Sequence, residues 1–119
     1  MNELLHPVVS VRLFTDRKCF GPGVATLLHR VELHRSLRSA AASMEMAYSK
    51  AWTIVRNAED CLGFKLLNSA TGGKNGGGAS LTPEAVRLLA AYDSYCAELR
   101  SRAETLFQAH LSYLSEERR

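Results

Sequence analysis

Six side chains between Tyr48 and Asn57 can hydrogen-bond to a polyanion: Tyr48, Ser49, Lys50, Thr53, Arg56 and Asn57. Lys50 and Arg56 suit guanine edges or phosphate oxygens. Ser49 and Thr53 can reach phosphates or base edges, and the Thr53 methyl matches that of thymine. A helix entering a major groove needs such short polar and basic groups on its outer face, near its N-terminal end. A second candidate is the run Thr71-Gly72-Gly73-Lys74-Asn75-Gly76-Gly77-Gly78. Lys74 and Asn75 at its tip can straddle a phosphate or enter a minor groove, and the glycine amides can also donate to phosphate.

Other chemistries lack residues. A nucleotide-binding phosphate loop needs a first glycine where Asn68 stands and Ser or Thr where Asn75 stands, and must lead into a helix. His6, His29, His34 and His110 are scattered. The helical pair His29 and His34 is separated by roughly 140° in projection, poorly placed to share a metal ion. No cysteine has a marked partner base, and no carboxylates pair on one face. Neither catalysis nor a metal or cofactor is expected.

The elements around these residues follow from periodicity and breakers. Val8–Phe14 alternates apolar Val9, Val11 and Leu13 with Ser10 and Arg12, which predicts a strand. Asp16-Arg17-Lys18 reads as a turn, and Phe20-Gly21-Pro22-Gly23 as a breaker that opens a helix running to about Arg35. Leu27, Leu28, Val31 and the stem of Arg35 should line its buried face. Ser39 is expected to cap a short alanine-rich helix to about Glu45 and to join the polyanion-contacting residues. Met46-Ala47 then turns into a helix from Tyr48 to about Cys61, with Ala51, Trp52, Val55, Ala58 and Leu62 buried. Two short strands, Phe64–Leu67 and Ala79–Leu81, flank the glycine run, and the N-terminal strand is expected to join their sheet. Thr82-Pro83-Glu84 is a strong helix start. The fold class predicted is mainly α with a small β-sheet: a winged helix-turn-helix over 1–82 and a long C-terminal dimerisation helix over 83–119, forming one structural unit.

That last helix has no breaker before Arg119. Ala85, Leu89, Tyr92, Cys96, Leu99, Ala103, Leu106, His110 and Tyr113 recur at alternating spacings of four and three, a coiled-coil-like seam. Leu88, Tyr95, Phe107, Leu111 and Leu114 widen it. A helix of about 30 residues extends about 45 Å, further than the rest of the chain can cover. Pairing with a second copy is expected, through Leu89, Tyr92, Cys96, Leu99, Ala103 and Leu106.

Length and charge agree with this organisation. The 119 residues suit one domain, and no apolar run approaches the roughly 18 residues of a membrane helix. Residues 1–82 hold ten Lys/Arg and six Asp/Glu, a balance of +4; residues 83–119 hold five and six, a balance of −1. The basic end should face the polyanion. Cys19, Cys61 and Cys96 are odd in number and far apart in sequence, which predicts free thiols and a cytoplasmic location.

The combination Phe20-Gly21-Pro22-Gly23, Ser39 through Ala42, Met46 through Trp52, Thr71 through Ala79 and Leu81-Thr82-Pro83 resembles the N-terminal domain of ModE-type molybdate-responsive regulators, of the wider LysR-type winged-helix group. The resemblance covers about residues 8–95. It implies a homodimeric bacterial transcription regulator that binds double-stranded DNA, with Ser49, Lys50, Thr53 and Arg56 facing the duplex and the long helix pairing the subunits. Ser69 and Ser80 stand where that family often has arginine, which implies fewer phosphate contacts. Full-length members carry C-terminal oxyanion-binding domains. A chain of this length implies a regulator without them, or one that takes its signal from a sensor-bearing partner protein; the alternative expectation is a protein-interaction module that heterodimerises with a sensor-bearing regulator.

Overall fold

The computed structural model describes residues 4–69 and 78–117. The described residues are mostly helical, with two small antiparallel sheets. They divide into two compact units, Val11–Ala90 and a second made of the residues up to Ser10 with those from Ala91 onward.

Within Val11–Ala90, a short hairpin pairs β1 (Leu13–Phe14) with β2 (Lys18–Phe20). Leu13 faces Phe20 and Phe14 faces Lys18, so the register slips at Cys19. A bulge of this kind re-aims side chains, and here the consecutive residues Cys19 and Phe20 are both buried. The expected seven-residue strand is therefore cut to Leu13–Phe14. Residues 4–12 form neither helix nor strand, and β1 does not join the other sheet.

Helix α1 (Pro22–His34) begins with proline in its first turn, where its missing N–H costs no hydrogen bond. Leu27, Leu28 and Val31 are fully buried as expected. Arg35 instead is exposed, and its left-handed backbone (φ 58°) ends the helix. Its N–H donates to the Val31 carbonyl at 2.7 Å, and its own carbonyl accepts from the Ala79 N–H at 3.0 Å. The chain there passes so close that a Cβ on Gly78 would lie 3.1 Å from the Arg35 oxygen.

Helix α2 (Leu37–Ser43) starts earlier than expected because Ser36, not Ser39, is its cap. The Ser36 hydroxyl oxygen accepts from the Ser39 N–H at 3.1 Å. Ala40 and Ala41 are fully buried, as suits close approach of α1. Arg30 ties the two helices by donating to Ser43 Oγ at 2.9 Å. Residues 44–47 connect to helix α3 (Tyr48–Leu62), with Glu45 left-handed at φ 54°. Gly63 ends α3 at φ 86°, a conformation glycine adopts without a Cβ clash, and its N–H reaches the Glu59 carbonyl at 2.8 Å.

Strands β3 (Leu67–Ser69) and β4 (Ala79–Leu81) pair antiparallel, Leu67 to Leu81 and Asn68 to Ser80. β3 begins later than the expected Phe64 because Leu66 turns inward, fully buried. Its N–H is taken by a side chain of α3. Helix α4 (Pro83–Leu111) starts as the sequence predicts. Thr82 Oγ1 accepts from the Ala85 N–H at 3.1 Å and donates to the Lys65 carbonyl at 2.7 Å. A short helix, α5 (Tyr113–Glu117), follows.

The expectation of free thiols fails at one pair. Cys19 of β2 and Cys61 of α3 are joined as a disulfide, with Cα atoms 5.3 Å apart. Distance along the sequence gave no measure of distance in space. The α3–β2 packing brings together cysteines that are 42 residues apart.

Candidate nucleic-acid interface

Helix α3 has two unlike faces. Ala51, Val55 and Ala58 are buried, and their small volumes let α3 lie close to its neighbours. Tyr48, Ser49, Lys50, Thr53, Arg56 and Asn57 are all exposed. At about 100° per residue they cover an arc of roughly 200°. Tyr48 and Arg56 lie toward one edge, Lys50 and Asn57 toward the other, with Ser49 and Thr53 between.

The structure corrects two burial expectations, at Leu62, which is half-buried, and at Trp52, and adds two groups. Trp52 is not core: 47% of it is exposed. It lies one turn from Tyr48 and one turn from Arg56, and the Arg56 guanidinium stacks 4.8 Å from its ring. Arg38 of α2 lies 4.3 Å over the Tyr48 ring. The exposed edge of α3 therefore carries two aromatic rings, each with an arginine on its face. Stacking restrains a guanidinium that would otherwise sample many rotamers, while leaving N–H donors directed outward. Arg38 was missed because it precedes the α3 motif. Trp52 was misplaced because size and apolarity suggest core, while its spacing of four from Arg56 carried the opposite signal.

Thr53 plays a narrower part than its type suggests. Its hydroxyl donates to the Ser49 carbonyl at 3.0 Å. The proton is thereby engaged within the helix, leaving the methyl and an acceptor lone pair for an outside partner. Such a group cannot donate to phosphate without breaking that bond.

Glu59 is the second residue missed. It is 8% exposed, yet its carboxylate has partners on every side. Oε2 accepts from the Leu66 N–H at 2.8 Å and the Leu67 N–H at 3.3 Å. Oε1 lies 4.0 Å from Arg56 Nε and 4.0 Å from Lys65 Nζ. One carboxylate thus anchors the start of β3 and restrains the base of Arg56. A buried carboxylate is tolerable only with such compensation. The sequence signal was a single acidic residue on the apolar stripe of an otherwise polar-faced helix.

Ser39 lies exposed within α2, its N–H held by Ser36. Lys74 and Asn75 lie outside the described residues. Along α4, Leu89 and Tyr92 are already buried within the single chain. Cys96, Leu99 and Ala103 are half-buried, whereas Leu106 is 57% exposed. Tyr95, Leu111 and Tyr113 also leave large apolar surface uncovered. No cluster of three metal-ligating side chains occurs among the described residues. No described helix is long and apolar enough to cross a membrane.

No family model matches the chain. Curated relatives do. Over 66 residues it is 38% identical to the molybdenum transport protein ModE of Herbaspirillum seropedicae, covering 56% of this chain and 24% of that one. Over 90 residues it is 33% identical to the DNA-binding transcriptional dual regulator ModE of Escherichia coli (strain K12), covering 76% of this chain and 32% of that one. Over 57 residues it is 40% identical to the molybdenum-pterin-binding protein MopB of Rhodobacter capsulatus, covering 48% and 21%. These relatives are named as regulators or molybdenum proteins, not as enzymes. The aligned parts thus span between about a fifth and a third of the relatives' length, and their likeness supports a ModE-like family for this chain.

Proposed function

We propose that this chain is the DNA-binding part of a transcriptional regulator with a molybdate-related role. In this reading α2 and α3 form a helix-turn-helix, α3 is the recognition helix, and the β3–β4 hairpin with its glycine loop is the wing. The observation that carries the reading is the outer arc of α3. It is exposed, rich in donors, and edged by two guanidiniums held on aromatic rings, while the opposite face is locked into the core. Arg56 is assigned to a base edge, Arg38 and Lys50 to phosphates, and the Thr53 methyl to a thymine. Lys74 and Asn75 would extend the contact from the wing. Two copies paired through α4 would read an inverted repeat, with half-sites about one helical turn apart or a multiple of it. A regulator of this kind works in the cytoplasm, on double-stranded DNA.

Selection of genomic fragments by the purified protein tests this directly. The wild type is expected to enrich a palindromic site that a folded Lys50→Ala/Arg56→Ala protein does not. Arg56→Ala alone should weaken specific binding by about 1–3 kcal/mol and relax discrimination at one position. Lys50→Ala should weaken binding to all sequences and lower the salt slope by about one unit. Absence of any enrichment by the wild type at low salt would remove the reading.

A further inference from the structure

We propose that Cys19 and Cys61 are a reversible oxidation site that tunes the DNA-facing surface of α3, the disulfide being the tighter-binding form. The inference rests on the DNA-binding reading above. Its own observations lie at the opposite end of α3.

The pair encloses what it would control. Cys19 sits at the bulge of β2 and Cys61 in the last turn of α3. The loop they close contains α1, α2 and the whole exposed arc from Tyr48 to Asn57. With the link made, the end of α3 is fastened to β2. Without it, the same turn is held by the Glu59 contacts and the Gly63 cap. Arg56 lies five residues before Cys61, little more than one turn, so fraying of the last turn reaches its base. A duplex that binds the reduced form must restore that order, which lowers affinity.

The surroundings favour a cycling pair over a permanent clip. A protein working on DNA inside a cell meets a reducing pool, where lasting disulfides are rare and those found are mostly redox-sensing. The two cysteines differ in access: Cys61 is half-buried, while Cys19 is buried. That is the arrangement of an attacking thiol and a resolving thiol. Thr15 Oγ1 lies 3.5 Å from Cys61 Sγ and 3.7 Å from Cys19 Sγ. It also lies 3.1 Å from Asp16 Oδ1. The Arg17 carbonyl, 3.8 Å from Cys19 Sγ, can accept from that thiol once the bond is broken. Both redox states thus find polar partners.

The oxidant is a hydroperoxide such as hydrogen peroxide. The Cys61 thiolate attacks one peroxide oxygen, the O–O bond breaks, and hydroxide leaves, taking up the thiol's proton to become water. The sulfenic acid on Cys61 is then attacked by Cys19 sulfur. The S–O bond breaks, the S–S bond forms, and the Cys19 proton leaves with the oxygen as a second water. Two thiols are oxidised and one peroxide is reduced to two waters. A small-molecule dithiol reverses the link by thiol–disulfide exchange.

The test uses the full chain, with Cys96 followed separately in the same alkylation so that the response of this pair is read by itself. Differential alkylation with mass spectrometry follows the link after peroxide and then dithiothreitol. Fluorescence anisotropy with genomic duplex fragments at low salt gives affinity in each state. The oxidised form is expected to bind at least about fivefold more tightly. Cys61→Ser should bind like the reduced form and ignore peroxide, and Cys61→Ala provides the same comparison if serine perturbs folding. By reciprocity, DNA should make the pair harder to reduce by about 20 mV, the two-electron equivalent of fivefold. Equal affinity of the two forms overturns the control while leaving DNA binding intact. A link that never forms with peroxide, or that resists the dithiol in the folded protein, overturns the reversible site. No binding by either form overturns the DNA reading and this control together.

Discussion

Helices α3 and α4 carry the same kind of sequence signal, an apolar stripe at helical spacing, and meet different fates. The stripe of α3 is covered within its own unit. Ala51, Val55 and Ala58 are buried, Glu59 is anchored, and Cys61 is joined to β2. Along α4, Ala85, Leu89, Tyr92 and Phe107 are buried, yet Tyr95, Leu106 and Leu111 present large apolar surface to solvent. Periodicity tells which face of a helix wants cover. Whether the same chain supplies the cover depends on length and on what lies opposite. A helix of 29 residues extends about 43 Å, more than a small unit can sheathe.

The largest effect should come from opening the covalent tie of α3. A loop of 42 residues corresponds to about 4 kcal/mol of chain entropy in the unfolded state. Denaturant unfolding with and without a reductant should show that loss. Similar midpoints in both conditions would mean that noncovalent contacts alone hold α3 in place.

Next is α4. Replacing two uncovered residues, Tyr95→Glu with Leu106→Glu, should leave the helix intact but oppose pairing by about 3 kcal/mol or more, since each removes an apolar contact and adds a charge to be desolvated. Sedimentation should show dimer for the wild type and monomer for the variant at micromolar concentration. A wild type that sediments as a monomer would show instead that this stripe is not a self-pairing surface.

Glu59→Ala comes third. It leaves the buried Leu66 N–H without an acceptor, an expected loss of about 2–3 kcal/mol. Glu59→Gln keeps an acceptor oxygen but not the charge beside Arg56 and Lys65, so it should cost less. Thermal melting ranks the two, and equal losses would mean that charge, not the backbone anchor, is what matters.

How much was legible from the sequence follows the same division. α1, the extent of α3, β4 and the Thr82 cap were readable because each depends on local chemistry: a proline in a first turn, an interruption at glycine, a threonine before Pro-Glu. The outer arc of α3 was readable for the same reason. Much of what failed depended on partners distant in sequence. The β1 strand was too long because only the stretch facing β2 finds a pairing edge. Trp52 is a local exception: its size and apolarity read as core, yet it stands half-exposed beneath Arg56, four residues on. Cys19 and Cys61 meet only after α3 has packed on β2. Arg38 and Glu59 gain their roles from a ring on the next helix and from two amides beyond the next turn.

The smallest prediction bears on a local error and can be made cleanly. Ser36 and Ser39 both stand near the start of α2, and either could cap it by type alone. The structure gives the cap to Ser36, whose backbone is extended (φ −158°) and whose oxygen takes the Ser39 N–H. Ser36→Ala should therefore cost about 1 kcal/mol. Ser39 is inside the helix and exposed, so Ser39→Ala should be neutral or stabilising by about 0.5 kcal/mol, because alanine is the better helix former. The two variants also separate folding from recognition. Ser36→Ala should lower the melting temperature and leave the DNA affinity of the folded protein unchanged. Ser39→Ala should keep the melting temperature, and weakens DNA binding only where its hydroxyl meets a phosphate. If Ser39→Ala proved the more destabilising, the start of α2 would have to move by three residues, carrying Arg38 away from Tyr48 and dissolving one of the two stacked arginines that distinguish the outer edge of α3 from the bare stripe of α4.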